Sequence, residues 1–320
     1  MRRILVTGAS GQIGSELVPA LRERYGDDDV VAVGHSAPLT PEVIQGGPCT
    51  WLDVTDADGL KQAISRFKID SVYHLGSILS VLAEQKRRLA FDVNVTGLWN
   101  VLEVASQMGL ERVIVPSSIA AFGLDTPRDN TPNDIIQRPN TLYGISKVFG
   151  ELAGNYFYEK LGLDVRGVRL PGIVSWKVEP TAGTTDYAVA AFYGAIRTGS
   201  YTSYLRPGTY LPMMYMPDAV LGLMKVAEAD IADLKHHADF NINSMSFAPE
   251  ELAEEIRKRV PGFTMDYEID PLRQSIADSW PNSLDDSAAR EEWGWQPEFG
   301  IEAMVDDMLY NLSRKLGPLP

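Results

Sequence analysis

The chain has 320 residues, of which 45% are hydrophobic and 22% are charged, a balance typical of a globular protein rather than a disordered one. Its 29 basic and 43 acidic side chains give a net charge of −14, which disfavours nucleic acid and anionic membrane surfaces as partners. No apolar run is long enough to span a membrane, and the single cysteine, Cys49, cannot form an internal disulfide. We therefore expect a cytoplasmic protein with neither nucleic acid nor a membrane as a partner.

The first half of the chain alternates short apolar runs with longer amphipathic ones, which is typical of βαβ units. Strands are predicted at Arg3–Thr7, Asp29–Val33, Cys49–Leu52, Ser71–His74, Arg112–Pro116 and Asp164–Leu170. Helices are predicted at Ala57–Phe67, Ala83–Met108, Tyr143–Leu161 and Gln12–Tyr25, the last of which Pro19 should kink. The pattern predicts an α/β protein with a Rossmann-type doubly wound parallel sheet, formed by a dinucleotide-binding domain of residues 1–171.

The pattern changes after Pro171-Gly172, where proline, glycine and aromatic residues cluster. Helices are predicted at Asp186–Thr198, Asp218–Ala229, Pro249–Val260 and Ile301–Leu316, and strands at Asp239–Asn243 and Phe263–Ile269. We expect residues 172–320 to form mainly a smaller C-terminal substrate-binding lobe, with some segments returning to the Rossmann domain and a cleft between the two.

A glycine-rich turn directly follows the first predicted strand and opens the first predicted helix. In that place backbone N–H groups can approach a pyrophosphate at the positive end of the helix. A tight turn alone is the simpler explanation, but the apolar strand before it and the apolar helix face after it favour a dinucleotide. The predicted cofactor-binding residues of this turn are Gly8, Gly11, Gln12, Ile13 and Gly14.

The second strand lacks the acidic residue that usually binds the adenosine ribose and rejects a 2′-phosphate. The sequence there is Gly34-His35-Ser36, and no arginine follows before Thr40 to bind such a phosphate. NAD is the expected cofactor and NADP stays open beside it, with Ser36 among the predicted contacts. Asp53 and Val54, after the third strand, are expected to contact adenine, although Asp53 as a helix cap is the alternative.

Tyr143 and Lys147 are four residues apart on a predicted helix and therefore share a face. Tyrosine is a poor base at neutral pH, but a lysine cation and a positive nicotinamide ring favour the phenolate by charge attraction. The same spacing is common by chance on solvated helix faces. Ser117 and Ser118 follow a strand, at the end where such sheets bind ligands, and this context favours a catalytic site.

Two more segments, Asn94–Gly97 and Trp293–Pro297, complete a set of motifs with the glycine turn and the Ser118, Tyr143 and Lys147 group. Together they resemble the extended short-chain dehydrogenases/reductases over essentially the whole chain. The resemblance implies that the tyrosine is the acid/base, that the lysine supports it and binds ribose, and that Ser118 holds the substrate oxygen. It further implies a homodimer formed through the helices starting near Ala83 and Tyr143, and four more cofactor contacts: Leu75, Gly76, Asn94 and Ile173.

Segments 179–188, 211–215 and 279–285 resemble one subgroup, the short-chain type of L-threonine 3-dehydrogenases. That resemblance implies NAD(P)-dependent oxidation of the C3 hydroxyl of L-threonine to 2-amino-3-ketobutyrate, with Tyr143 as general base. The subgroup usually has Asp in place of Gly34 and often Tyr in place of Leu170.

The segment Gly183-Thr184-Thr185-Asp186 precedes an apolar helical pattern and therefore predicts a helix N-terminus. Capping is the simpler role, but free N–H groups and threonine hydroxyls also suit a carboxylate. We expect the amino acid's carboxylate to bind Gly183, Thr184 and Thr185. The other predicted substrate contacts are Ser80, Ser117, Ser118, Tyr143 and Trp280.

No metal site is expected, because the four histidines, His35, His74, His236 and His237, show no metal-ligand spacing. Two other functions stay open. An NDP-sugar epimerase or dehydratase would share the cofactor site and would need basic groups for a diphosphate, for which Arg206 is a candidate. A redox-sensing regulator would bind dinucleotide without turnover, although Tyr143 and Lys147 argue against it.

Overall fold

A computed structural model describes residues 1–180 and 183–317 of the chain. Its strands are β1 (Ile4–Thr7), β2 (Val30–Gly34), β3 (Cys49–Trp51), β4 (Ser71–His74), β5 (Arg112–Ile114), β6 (Ser117–Ser118), β7 (Asp164–Arg166), β8 (Val168–Leu170), β9 (Gly172–Val174), β10 (Ser200–Ser203), β11 (Leu211–Tyr215), β12 (Phe240–Asn241), β13 (Met245–Phe247) and β14 (Thr264–Tyr267). Its α-helices are α1 (Gly14–Tyr25), α2 (Pro41–Gln45), α3 (Ala57–Phe67), α4 (Ser80–Gln85), α5 (Arg87–Phe91), α6 (Leu98–Gln107), α7 (Leu142–Leu161), α8 (Tyr187–Arg197), α9 (Met216–Glu228), α10 (Pro249–Arg259), α11 (Pro271–Asp278), α12 (Ser287–Trp293) and α13 (Ile301–Leu316).

Six parallel strands form the main sheet in the order β3-β2-β1-β4-β5-β7. Ile4 of β1 pairs with Val30 on one side and with Ser71 on the other, so the strand order reverses direction at β1. Ligands of such sheets bind beyond the carboxyl ends of the strands at this reversal. The predicted doubly wound parallel sheet is confirmed, and its topology places the site at the ends of β1 and β4.

Two predicted strands are corrected: the one expected at Arg112–Pro116 ends at Ile114, and the one expected at Asp164–Leu170 is interrupted. Gly167 separates β7 from β8, and a Cβ there would lie 2.4 Å from the carbonyl oxygen of Val115 and 2.7 Å from that of Ala238. Only glycine allows this close approach of three backbone segments. Beyond the break, β6 pairs with β8 and β8 pairs with β12.

The single helix predicted at Ala83–Met108 is wrong: the structure has α4, α5, a π-helical segment at Asp92–Gly97, and α6. Lys86, with φ −125° and ψ 58°, ends the first piece. The π-helical segment contains Asn94, whose side chain bonds to the backbone of Ile78. Single π-helical turns inside α-helices are frequent at functional sites, so this irregularity marks Asn94.

The second half of the chain builds a separate apolar cluster around α8, α10 and α13, and two small sheets. Helix α9 lies outside that cluster and packs against α1. Its Leu223 and Val226, together with Trp295 after α12, belong to a core that also contains side chains of β1 and β2. None of the helices within the described residues is long and apolar enough to cross a membrane. Helix α1 continues through Pro19 as one element.

Candidate active site

A cleft of about 1080 Å³, including the part open to solvent, lies between the carboxyl end of the main sheet and the second half of the chain. It runs from the glycine turn after β1 to the turn before α8. Predicted residues that line it are Gly8, Gly11, Gln12, Ile13, Gly14, Leu75, Ser80, Ser117, Ser118, Tyr143, Lys147, Ile173, Gly183, Thr184, Thr185 and Trp280. The fold therefore brings most of the predicted site residues to one cavity.

The glycine turn is closely packed against the loop after β4. Gly8 has φ +69°, and a Cβ on it would lie 2.7 Å from the backbone nitrogen of Gly76. A Cβ on Gly14 would lie 2.3 Å from the carbonyl oxygen of Gly8. Helix α1 begins at Gly14, later than the predicted start at Gln12, and its N-cap residue Ile13 makes no side-chain capping hydrogen bond. The turn thus presents backbone at a positive helix end, which fits a pyrophosphate.

Glu16, in the first turn of α1, is a residue that the sequence reasoning missed. The Ser175 hydroxyl donates to its carboxyl group, and the Lys177 ammonium lies 4.0 Å from it. Burial raises the pKa of Glu16, which favours its uncharged form. The sequence offered one signal for Glu16, namely an acidic residue just after the glycine turn.

Tyr143 and Lys147 lie on one face at the start of α7, where Thr141 caps the helix by accepting from the Gly144 N–H at 3.1 Å. The Lys147 ammonium lies 5.3 Å from the centroid of the Tyr143 ring and donates to the Pro116 carbonyl at 2.8 Å. A Cβ on Gly144 would lie 2.2 Å from the Ala120 carbonyl oxygen, so the helix start packs directly on the chain after β6. The two predicted catalytic side chains are therefore held beside Ser118.

Ser118 caps the 3₁₀ turn that follows β6, and its hydroxyl oxygen accepts from the Ala120 N–H at 3.2 Å. A hydroxyl that accepts in this way keeps its own O–H for donation. Ser117 differs, because its hydroxyl donates to the carboxylate of Glu151. The predicted contact of Ser117 with the reacting oxygen would require it to give up that bond.

A buried ion pair behind the site was also missed from the sequence. Arg169 donates to the two carboxylate oxygens of Glu151 at 3.0 and 2.8 Å, and both side chains are almost fully buried. Gln137 donates to the same carboxylate at 2.7 Å, and the Asn133 carbonyl accepts from Arg169 at 2.8 Å. Glu151 lies one helical turn after Lys147, so this network joins α7, β8 and the loop 123–140. The loop 123–140 is therefore anchored to α7 and β8.

His74, at the end of β4, forms a hydrogen bond of 2.8 Å between its Nδ1 and the Thr7 hydroxyl at the end of β1. Burial and the nearby charge of Lys147 lower the pKa of His74 to about 3. The imidazole is therefore neutral and ties together the two strands at which the sheet order reverses.

The side of the cleft predicted to hold the substrate joins the start of α4 to the turn before α8. The hydroxyls of Ser80 and Thr184, both buried, lie 3.3 Å apart. Thr185 packs against Gly172, where a Cβ would lie 2.6 Å from the threonine methyl. The predicted helix N-terminus is confirmed, because α8 begins at Tyr187 with Asp186 as its N-cap residue. Thr181 and Ala182 of the motif 179–188 lie outside the described residues.

Trp280 closes the opposite wall of the cleft and is only 6% exposed. Its indole nitrogen has no hydrogen-bond partner among the described residues. The backbone after it is bridged to the loop 123–140, since Thr131 pairs with Leu284 and accepts from the Asp285 N–H at 2.9 Å.

Three predicted cofactor contacts, Ser36, Asp53 and Val54, do not line the cleft and lie beyond it at the ends of β2 and β3. The capping role considered for Asp53 is wrong, because Asp56 caps α3. Asp53 instead accepts from the N–H and the hydroxyl of Thr55, and hydrogen bonding from this N–H lowers the pKa of Asp53.

Gly76 and Asn94 line a smaller adjoining pocket of about 370 Å³. The amide of Asn94 is buried and donates to the Ile78 carbonyl at 2.9 Å and to the Ser146 hydroxyl at 3.3 Å. Its oxygen accepts from the Ile78 N–H at 2.7 Å. Asn94 therefore shapes the loop after β4 from behind.

Within residues 1–180 and 183–317, no group of three histidine, cysteine or acidic side chains is placed to hold a metal ion. Arg206, the candidate for a diphosphate, does not line the cleft and pairs with Asp278 at 2.8 Å. The position of Arg206 argues against the sugar-nucleotide alternative, because the cation predicted to bind the diphosphate is not in the cleft.

The family model described as the NAD dependent epimerase/dehydratase family matches residues 4–242. A Staphylococcus haemolyticus protein described as an epimerase/dehydratase is 45% identical over 98% of this chain and 99% of its own length. The solved L-threonine dehydrogenase of Clostridium difficile is 46% identical, with a TM-score of 0.95 over 99% of each chain. A monomeric L-threonine 3-dehydrogenase from a metagenome is 42% identical, with a TM-score of 0.93 over 98% of this chain and 99% of that chain.

Proposed function

Because the chain belongs to the NAD dependent epimerase/dehydratase family, we propose that it is an L-threonine 3-dehydrogenase. It oxidises the C3 hydroxyl of L-threonine to 2-amino-3-ketobutyrate. The observation that carries the proposal is the likeness to solved L-threonine dehydrogenases over almost the whole chain, with 42–46% sequence identity and TM-scores of 0.93–0.95. The cleft adds the chemistry, since it holds a tyrosine, a lysine and a serine hydroxyl together.

The cofactor is a nicotinamide dinucleotide, for which we propose NAD. The fit rests on the glycine turn, where a side chain on Gly8 would meet the loop after β4 and one on Gly14 would meet the backbone of the turn itself. Gly8, Gly11, Gln12, Ile13 and Gly14 hold the pyrophosphate, and Leu75, Gly76, Asn94 and Ile173 lie along the rest of the dinucleotide. Ser36, Asp53 and Val54 contact its adenosine end. When bound, the nicotinamide ring accepts the hydride that the substrate carbon loses.

Tyr143 accepts the proton of the C3 hydroxyl at its phenolic oxygen. The Lys147 cation lies 5.3 Å from the centroid of the Tyr143 ring, and its bond to the Pro116 carbonyl holds it there. Ser118 donates its O–H to the reacting oxygen, because its lone pair already accepts from Ala120. These groups are held in place before the substrate arrives, and such preorganisation lowers the barrier.

The substrate carboxylate binds at the turn before α8, contacted by Gly183, Thr184 and Thr185. A helix N-terminus favours an anion, and the Ser80 and Thr184 hydroxyls form a short polar wall beside it. The unpartnered indole N–H of Trp280 supplies a donor from the opposite wall. The Ser117 hydroxyl donates to Glu151 and can donate to the substrate only when that hydrogen bond is released.

The test is the initial rate of NAD reduction with L-threonine, and of NADP reduction in parallel. We expect threonine-dependent turnover that falls by at least ~1,000-fold in Tyr143→Phe, because the general base and its preorganised contacts are lost together. The variant should still bind NAD, which calorimetry measures. Turnover of a UDP- or dTDP-sugar without any threonine turnover would contradict the proposal and favour an epimerase or dehydratase.

We also propose that the protein is a homodimer formed through α5, α6 and α7. Exposed apolar side chains on these helices include Leu89 at 42%, Phe91 at 46%, Leu152 at 63% and Tyr156 at 50%. Exposed apolar side chains concentrated on packed helices are typical of association surfaces. Light scattering on the wild type and on Leu152→Glu tests this, with dimer and monomer as the expected masses. A monomeric wild type, as described for the metagenomic enzyme, would contradict it.

Residues 1–171 provide the dinucleotide-binding domain and residues 172–320 mainly the substrate-binding lobe in this proposal, with α9 returning to the first domain. We place the protein in the cytoplasm, because its one cysteine, Cys49, forms no internal disulfide and is partly buried beside α2.

A further inference from the structure

The adenosine end of the site has an unusual arrangement at the end of β2. Gly34 pairs in register with Trp51 of the edge strand β3. A Cβ on Gly34 would lie 2.7 Å from the indole nitrogen of Trp51 and 3.1 Å from the neighbouring ring carbon. The indole therefore occupies the space that a side chain at position 34 would need, although Trp51 itself is 58% exposed.

In folds of this kind the side chain at the end of β2 contacts the adenosine ribose, and a carboxylate there accepts from both hydroxyls and repels a 2′-phosphate. An indole N–H is a donor only and carries no charge. It can donate to a 2′-hydroxyl oxygen or to a 2′-phosphate oxygen, and the bond to the charged acceptor is the stronger.

We propose that Trp51 is the residue that sets the cofactor preference, because its indole N–H replaces a carboxylate at the 2′ position and lets the protein bind NADP as well as NAD. This inference rests on the proposed dinucleotide site but not on L-threonine as the substrate.

The nearby acidic group is Asp53, which keeps a negative charge close to this end of the sheet. Its carboxylate accepts from Thr55 at 2.9 Å and lies 3.5 Å from the His35 imidazole. Asp53 is therefore engaged by its own neighbours, while the Trp51 N–H and the Ser36 hydroxyl are donors at the same end of the sheet.

The test is calorimetric titration of NAD and of NADP into the full chain, which needs no turnover. We expect dissociation constants within about tenfold of each other for the wild type. Trp51→Ala should weaken NADP by about tenfold and NAD by less, because it removes a hydrogen bond to a charged acceptor from the first and to a hydroxyl from the second. Tyr310→Ala, which removes another exposed aromatic side chain far from the cleft, should change neither.

The sharper test is whether Gly34→Asp acts differently in two backgrounds. Beside Trp51 the new carboxylate has no room, so NAD affinity should fall. In the Trp51→Ala background the carboxylate can reach the ribose, so NAD affinity should rise and NADP affinity should fall by ~100-fold. Trp51 is exposed on an edge strand and its removal opens no cavity, so Trp51→Ala should keep the unfolding midpoint of the wild type.

Three results would overturn the proposal: strict NAD binding by the wild type, unchanged affinities in Trp51→Ala, or the same gain of NAD preference from Gly34→Asp in both backgrounds. Failure of the threonine assay with these affinities intact would contradict only the proposed substrate. Failure to bind either dinucleotide would contradict the cofactor site itself.

Discussion

In the proposed function, the pyrophosphate binds at the nucleotide end of the cleft to one turn of chain between β1 and α1, whereas the substrate end is assembled from Ser80, Ser118, Thr185 and Trp280, which are far apart in the sequence. The first end works through backbone groups that approach closely because Gly8 and Gly14 have no side chains. The second works through side chains held by distant partners. A change in the glycine turn should therefore weaken NAD binding directly. A change at the substrate end should act on the stability of the protein or on its affinity for the substrate.

The largest effect on ligand binding is expected at Gly14. An alanine Cβ would lie 2.3 Å from the Gly8 carbonyl oxygen and 2.7 Å from the Ala9 Cα, which are backbone atoms of the turn itself. We expect Gly14→Ala to weaken NAD binding by ~100-fold or more, because the turn must open by a good fraction of an ångström. Calorimetric titration measures this. Gly262→Ala, at a glycine with nothing within 4 Å, is the matched control.

If Gly14→Ala bound NAD within about threefold of the wild type, the nucleotide end would not depend on its backbone in the way described.

The next effect is at Arg169, behind the substrate end. Arg169→Met leaves the buried carboxylate of Glu151 without its cation, which typically costs about 3–5 kcal/mol. The free energy of unfolding, measured in urea, should fall by that amount. Arg88→Met is the matched control, because Arg88 forms an ion pair with Asp92 while 85% exposed and should change the free energy of unfolding by at most about 1 kcal/mol.

Equal losses in the Arg169 and Arg88 variants would mean that the buried pair does not support the wall formed by β8, α7 and the loop 123–140.

The third prediction concerns the pH dependence of stability, which we expect to depend on His74. Its folded pKa of about 3 lies below the ordinary 6.5, so the unfolded chain binds the proton first as the pH falls. Stability is therefore fully present above pH 6.5 and is lost as the pH drops towards 3. At pH 5 the loss is about 2 kcal/mol. Urea unfolding at pH 7 and pH 5 should show a smaller drop in His74→Asn than in the wild type, and an identical drop would contradict this.

The smallest effect is expected at Thr185. Loss of one hydroxyl that contacts a carboxylate should raise the KM for threonine by about 5–10-fold, with the dissociation constant of NAD unchanged. The side chain also packs on Gly172, so two matched variants separate the roles. Thr185→Val keeps the shape and should behave like Thr185→Ala, whereas Thr185→Ser keeps the hydroxyl and should behave like the wild type. An unchanged KM and turnover in Thr185→Ala would remove the carboxylate assignment.

The sheet could be predicted from the sequence because each strand is a short apolar run with its own boundaries. The breaks could not, since the break at Gly167 depends on the carbonyls of Val115 and Ala238. The long helix at Ala83–Met108 was predicted from an amphipathic pattern that does not show the π-helical segment. That segment is stabilised by bonds from Asn94 to a loop far away in sequence.

The same contrast holds for the site. Tyr143 and Lys147 are close in sequence, and their helix brings them together whatever surrounds it. Glu151 lies on the same helix face one turn later, yet its partner Arg169 comes from strand β8. A charged residue within an apolar strand was the only sign of this ion pair in the sequence. The Trp51 indole beside Gly34 likewise depends on strand register, which the sequence does not show.

The packing of α9 and Trp295 on the α1 side of the sheet has a consequence for synthesis. When the chain has left the ribosome only as far as α7, strands β1 to β5 are complete, but the layer that buries their outer face has not yet been made. Ile4, Val30 and Leu17 are then covered only in part. The first domain must wait for the last third of the chain before it can finish folding, and a truncation after α8 should yield an insoluble product rather than a smaller working domain.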